Sequence, residues 1–263
     1  MWQRLSHVIP TVGYGVPIGM AASAFGFLPV FQRATRAAVQ RVAFYSDARL
    51  VLIMPGGGYR WVVIDKEGYE LGRWLAARGY TAFVLFYRLP AEGWAAGPDV
   101  ALSDAQRAIR LIRHRAGHFG IDPERVAAIG FSAGGHLCAD LLTRFPVRTY
   151  APVDAADAMS ARPLVAAPIY PVISMSAPDA HSGSRTKLVG DGANSALEQA
   201  HSPHRNALAI SPPTFLAHAE DDDVVPCRKH SADARGAARK RCSSGNSPFH
   251  SWRSRLRVAQ GDR

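Results

Sequence analysis

Cysteine is scarce in this chain of 263 residues, and its three thiols, Cys138, Cys227 and Cys242, are far apart. Such spacing offers no metal-ligand cluster and no disulfide framework, so neither zinc nor an oxidised compartment is implied. Also lacking is a long uninterrupted apolar run. Val8 to Phe31 is apolar overall, but Pro10, Pro17 and Pro29 and glycines at Gly13, Gly15, Gly19 and Gly26 break it, which argues against a membrane-spanning helix. An irregular N-terminal segment over residues 1–49 is the expectation, with a cytoplasmic chain preferred. The other reading is a secretory signal peptide cleaved near Ala22-Ser23-Ala24, with only Arg4 as its basic flank. Acidic residues are sparse at the opposite end. Residues 227–263 hold ten Lys/Arg against Asp233 and Asp262, which leaves 21 basic and 19 acidic groups in the rest of a chain whose net charge is +10. The body of the chain is therefore nearly neutral. A nucleic-acid or membrane binder would have to work through the tail alone, and no specific nucleic-acid partner is expected.

What is present is enough apolar material, 48% of residues, to bury the core of one α/β domain, expected over residues 50–226. Strand-like runs at Leu50–Met54, Thr81–Tyr87, Val126–Ile129, Leu164–Ile169 and Thr214–Ala217 alternate with helical patterns. That alternation predicts a mostly parallel sheet flanked by helices. Ser103 with Gln106 reads as a capping box opening a helix whose apolar stripe is Ala105, Ala108, Ile109, Ile112 and Ala116. Asp122-Pro123 then turns the chain into the third strand.

Chemistry enters with Gly130-Phe131-Ser132-Ala133-Gly134, a G-x-S-x-G pattern between a strand-like run and a helix-compatible run containing Leu137, Cys138, Leu141 and Leu142. In that setting the pattern predicts a sharp turn that holds the Ser132 hydroxyl out at the top of a sheet. Acyl transfer by serine also needs oxyanion donors, a base and a group that orients the base. Met54-Pro55-Gly56-Gly57-Gly58-Tyr59 follows the first strand, and its glycines leave backbone N–H groups able to converge on an oxyanion. Gly57, Gly58 and Ala133 are the expected donors. The orienting acid is expected after the last strand, in Ala219-Glu220-Asp221-Asp222-Asp223-Val224-Val225-Pro226, with Asp222 preferred and Asp221 as the alternative.

These motifs together resemble the α/β-hydrolases of the acetyl esterase and acetylxylan-esterase-like group, related to the hormone-sensitive-lipase-like esterases. The resemblance runs from about Leu50 to Pro226. It includes Pro55 to Tyr59, Lys66-Glu67-Gly68, Tyr87-Arg88-Leu89-Pro90, Asp104 to Ala108, Gly130 to His136, His181-Ser182-Gly183-Ser184-Arg185 and the acidic loop. It implies a Ser-Asp-His esterase for small acyl groups, particularly acetyl groups on carbohydrate, with a small-molecule ester as partner and neither cofactor nor metal. No role for His181 to Arg185 follows from the pattern beyond a loop that shapes the pocket. Acyl length, alcohol moiety and oligomeric state depend on loop packing.

The family's histidine follows the acid in a Gly-Gly-His-Gly-Phe-like loop after one more helix and strand. Residues 227–263 contain no such segment, and their large apolar residues, Phe249, Trp252, Leu256 and Val258, are too few for a helix face and a buried strand. Synonymous codons exist for Trp252 to Arg257 that, read one base later, spell Gly-Gly-His-Gly-Phe. The same offset turns Arg241 to Ser251 into the alternating run Gly-Val-Pro-Val-Glu-Ile-His-Leu-Phe-Thr. A frameshifted tail is the resulting expectation, with the last strand and His loop missing from the fold. His250 is the sequence-nearest substitute base, though its placement in the tail gives it no geometric support.

Overall fold

The computed structural model describes residues 27–29, 38–41, 49–219, 222 and 224–225, with side chains from Leu50 onward. Central strands β3 (Arg49–Met54) and β4 (Tyr80–Phe86) are apolar on both faces and so must be covered on both. Leu50, Leu52 and Met54 point into one core cluster, while Val51 and Ile53 join Ala82 and Val84 in a second on the opposite face. The first cluster is covered by α2 (Val100–His114), the short α3 (Ala116–Phe119) and α4 (Ser132–Arg144), the second by a π-helical turn (Ile64–Glu70) running into α1 (Leu71–Ala76). Each fully buried Leu, Ile or Phe on these faces contributes about 1.5–3 kcal/mol relative to exposure.

The sheet order is β1-β2-β4-β3-β5-β6, with β5 at Val126–Phe131 and β6 at Ala166–Ile169. β4, β3, β5 and β6 run parallel, and β2 (Ala38–Arg41) adds antiparallel to β4 with β1 (Phe27–Pro29) antiparallel outside it. This is the α/β-hydrolase fold. The N-terminal segment is thus not wholly irregular, which corrects the expectation for residues 1–49. The edge of β4 would otherwise carry unpaired backbone groups, and β2 satisfies them.

Two further expectations are corrected. Thr214–Ala217 forms only isolated parallel bridges, Ala166 with Thr214 and Ile169 with Ala217. The Ala166 and Tyr170 N–H groups donate to the Pro213 and Ala217 carbonyls, but Pro168 between them has no N–H, so the middle rung is missing. The capping box is the second. α2 starts at Val100, so Ser103 lies inside the helix and its hydroxyl donates to the Asp99 carbonyl one turn back. Gln106 instead donates its amide to the Arg144 and Val147 carbonyls, tying α2 to the end of α4.

Candidate active site

β5 ends at Phe131 and α4 begins at Ser132 with no connecting residue, which forces Ser132 to φ +50°. Such a conformation costs a non-glycine residue of order 1–3 kcal/mol and persists only where the surroundings dictate it. The small residues of the motif are dictated by close approach. A Cβ on Gly134 would lie 2.1 Å from the Met54 carbonyl oxygen, because α4 starts hard against the end of β3. Ala133, in the first turn, has a backbone N–H with no intrahelical acceptor, at the positive end of the helix.

The second turn follows β3. The Gly56 carbonyl accepts the Val63 N–H at 3.0 Å, and the Gly57 carbonyl accepts those of Arg60 at 3.0 Å and Trp61 at 3.3 Å. In a trans peptide the carbonyl and the following N–H point opposite ways, so the Gly57 and Gly58 N–H groups face away from residues 60–63. Among the described residues neither has an acceptor. The turn lies against the elbow: a Cβ on Gly56 would sit 3.1 Å from the Ser132 Cβ and 2.8 Å from the Phe131 carbonyl. Gly57, at φ +128°, could carry no side chain, since a Cβ there would meet the Trp61 carbonyl at 2.3 Å.

Asp222 follows the 214–217 segment. Its Oδ1 accepts the N–H groups of Val224 at 2.9 Å and Val225 at 2.8 Å, which fixes the carboxylate on its own loop. Asp222 is near enough to the Tyr170 phenol for its charge to contribute to raising that group's pKa, behind the larger effects of burial and Glu67. Tyr170 comes directly after β6, and its ring centroid is 5.9 Å from that of Phe131, the residue before Ser132. The described non-glycine residues with positive φ are Tyr59, Ser132 and Tyr170, one beyond each of the strand ends β3, β5 and β6. Backbone strain is therefore concentrated around Ser132.

Among the described residues, His218, His136 and His181 are each committed to hydrogen bonds with partners other than Ser132. His218 places Nε2 3.5 Å from Asp222 Oδ2, but donates that N–H to the Val225 carbonyl at 3.1 Å. His136, in the fourth position after Ser132, is fully buried, and its Nε2–H donates to the His201 carbonyl at 2.8 Å. Its Nδ1 therefore accepts from the Tyr59 hydroxyl at 2.7 Å, joining α4 to the glycine turn. Burial pulls the His136 imidazole down to about 4, so it stays neutral at pH 7. His181 caps α5 (Ser182–Val189), with Nδ1 accepting the Ser184 N–H and lying 2.8 Å from the Ser184 hydroxyl, itself 4.0 Å from where a Gly58 Cβ would be. Arg185 pairs with Glu198 of α6 (Ser195–Ala200). The 181–185 motif is thus a helix start braced beside the glycine turn. Asp221, His250 and the whole of residues 227–263 lie outside the described residues. Among the described residues no group of His, Cys, Asp and Glu could hold a metal, and no helix is long and apolar enough to cross a membrane.

The structure brings the expected Ser132, Gly57, Gly58 and Ala133 together at the ends of β3 and β5 and puts Asp222 on the loop beyond 214–217, while Glu67, Tyr170 and the Tyr59–His136 pair, which brace these turns, were not among the expected site residues. Their signal was present only as fragments of motif, because the contacts join residues distant in sequence.

Comparison with known proteins gives the same fold. The chain is 31% identical over 193 residues to an acetylxylan esterase of Xylanibacter ruminicola, a match covering 71% of this chain and 37% of that protein. It is similar in structure to an acetyl ester-xyloside bifunctional hydrolase from Caldicellulosiruptor lactoaceticus, with a TM-score of 0.68, 32% identity and 76% of each chain covered. Esterase 2 of Thermogutta terrifontis shares the fold at a TM-score of 0.63 and 23% identity, over 81% of this chain and 77% of its own. The chain spans less than half the length of the curated relatives it matches. The BD-FAE family pattern matches residues 43–234, a stretch that takes in the glycine turn, the elbow and the Asp222 loop. The chain therefore belongs to the BD-FAE family and has the α/β-hydrolase fold.

Proposed function

We propose that this chain is built to hydrolyse small acyl esters, acetyl esters of carbohydrate above all, with Ser132 as nucleophile, Gly57, Gly58 and Ala133 N–H groups as oxyanion donors and Asp222 as the orienting acid. The observation that carries the reading is the pairing of two turns: Ser132 at φ +50° beside a glycine turn whose N–H groups have no acceptor among the described residues. Backbone strain of this kind clusters at active sites, and N–H groups free of a protein acceptor are available to a developing oxyanion. The carbohydrate part rests on the names of the relatives, an acetylxylan esterase and an acetyl ester-xyloside hydrolase. The cytoplasm is the proposed compartment, and fractionation of the source cells tests it.

A second reading is that turnover is impaired. It is favoured by the absence of a family-type histidine loop from residues 227–263, and by His218, next to Asp222, giving its Nε2–H to Val225. Without a base Ser132 is a weak nucleophile, and oxyanion donors with binding supply only about 10³–10⁴-fold over water. Hydrolysis of p-nitrophenyl acetate by the chain, by Ser132→Ala and by a version with the alternative frame restored separates the two. Activity that depends on Ser132 and rises steeply on restoration supports both the ester site and the impairment. Equal activity in parent and restored chains removes the impairment, and a restored chain that loses nothing with Ser132→Ala removes the site.

A further inference from the structure

Glu67 has no part in the site as read so far, yet its carboxylate touches two of the three strand ends that surround Ser132. Oε2 accepts the Gly56 N–H at 2.6 Å and Oε1 accepts the Tyr170 hydroxyl at 3.0 Å. We propose that Glu67 is a positioning residue for the oxyanion turn, holding the Pro55–Gly56 peptide so that the next two N–H groups, of Gly57 and Gly58, face the substrate. The inference rests on the ester-hydrolase reading of the site given above.

Each peptide unit of the turn has its orientation fixed by a different partner. The Gly56–Gly57 and Gly57–Gly58 units are held at their carbonyls by the Val63, Arg60 and Trp61 N–H groups, all bonds inside the turn. The Pro55–Gly56 unit leads into the turn and is held from outside it at both ends. The Tyr87 hydroxyl donates to its carbonyl at 2.7 Å, and its N–H goes to Glu67. Peptide planes are rigid, so two opposed hydrogen bonds on the first unit set the starting direction for the units that follow. Remove the carboxylate, and the Gly56 N–H loses its acceptor in a place where a Cβ would already meet Phe131 and Ser132. The turn can then rotate to find another partner, carrying Gly57 and Gly58 with it.

The other arm of the carboxylate ties this turn to Tyr170. That residue is held at φ +36°, donates its N–H to the Ala217 carbonyl at 2.6 Å, and packs against Phe131. Burial, and then the Glu67 charge, raise the Tyr170 phenol above its ordinary value, so it remains a donor to the carboxylate. Glu67 itself is delivered by the π-helical turn, where Gly68 packs so closely on β4 that a Cβ would lie 2.8 Å from Val84 Cγ1. A single side chain thereby couples the oxyanion turn to the segment that leads to Asp222.

The test is p-nitrophenyl acetate hydrolysis by the full chain, Glu67→Ala, Glu67→Gln and Tyr170→Phe, with the folded fraction of each measured by denaturant unfolding. Oxyanion donors contribute to whatever rate is present, with or without a triad base, so the comparison does not need a fully active parent. Misplacing a donor typically costs about 100-fold, so kcat should fall by that order in Glu67→Ala while KM changes little. Glu67→Gln, whose amide oxygen can still accept the Gly56 N–H, should recover most of the loss. Tyr170→Phe, which removes one hydroxyl and keeps the ring, should lower kcat less than Glu67→Ala, and it reads the same tie if Glu67→Ala fails to fold. Unchanged kcat in both Glu67→Ala and Tyr170→Phe overturns the proposal, as does a loss no greater than the fall in folded protein. A frame-restored chain no faster than the same chain carrying Ser132→Ala overturns the ester-hydrolase reading and the proposal with it; catalysis above background with indifferent Glu67 and Tyr170 variants overturns the proposal alone.

Discussion

Individual residues at the site are constrained more by space than by chemistry. Gly134 is the clearest case, because an added Cβ would overlap the carbonyl oxygens of Met54 at 2.1 Å and Pro55 at 2.4 Å, backbone atoms where β3 runs into the glycine turn. Gly134→Ala should therefore both destabilise the chain, by about 3 kcal/mol or more, and displace the turn. Urea unfolding checks the first effect; a midpoint equal to the parent's would contradict the close approach. Such residues are legible in sequence because G-x-S-x-G and Gly-Gly-Gly state their spacing locally. Glu67 and Tyr170 are not, because they are 103 positions apart and only the fold brings the carboxylate to the phenol.

Elements are joined by buried polar pairs that titrate or carry charge. His136 links α4 to the glycine turn through Tyr59, and burial depresses its folded value to about 4 from 6.5. Between those values the unfolded chain binds a proton that the folded chain does not, so stability is fully present above pH 6.5 and is lost as pH falls toward 4. The change is about 3 kcal/mol across that window. His136→Gln can keep both hydrogen bonds without titrating, so the difference in unfolding free energy between parent and variant should vary with pH by that amount. A difference flat from pH 7 to pH 4 would contradict a buried neutral imidazole. Arg107, on α2, bridges to Asp154 at 2.6 Å and Asp157 at 3.0 Å with its side chain 3% exposed. Arg107→Met leaves the largely buried Asp157 without its cation, and should cost about 3 kcal/mol in denaturant unfolding at neutral pH. The helices themselves were legible from their apolar periodicity. Their starts were less so: Ser103 and Gln106 fit a capping box by spacing, yet they sit inside α2 and bond to α4, a tertiary use that local sequence cannot reveal.

At the scale of the whole molecule, the alternation of strand and helix patterns identified the α/β fold, and the parallel strands β3 to β6 follow it closely. The sheet was less legible at its two ends. β1 has three residues at the end of a stretch broken by proline and glycine, and β2 has only four; β2 becomes a strand because the edge of β4 needs a partner, and β1 then pairs with β2. On the other side Pro168 interrupts pairing with 214–217, and Phe215 in that segment is 46% exposed. A frame-restored tail, which adds an alternating strand and apolar side chains, should raise the unfolding midpoint and solubility of the chain relative to the parent. An equal midpoint and equal solubility would argue that residues 227–263 already complete the fold. The central claim, an acyl-ester site built on Ser132, is tested most directly by background-corrected p-nitrophenyl acetate hydrolysis with the parent chain, Ser132→Ala and the frame-restored chain side by side. The account predicts a weak parent rate that Ser132→Ala changes little, and on restoration a Ser132-dependent rise of about 10³-fold or more, the order attributable to a working serine–base pair. A restored chain whose rate does not depend on Ser132 would contradict it.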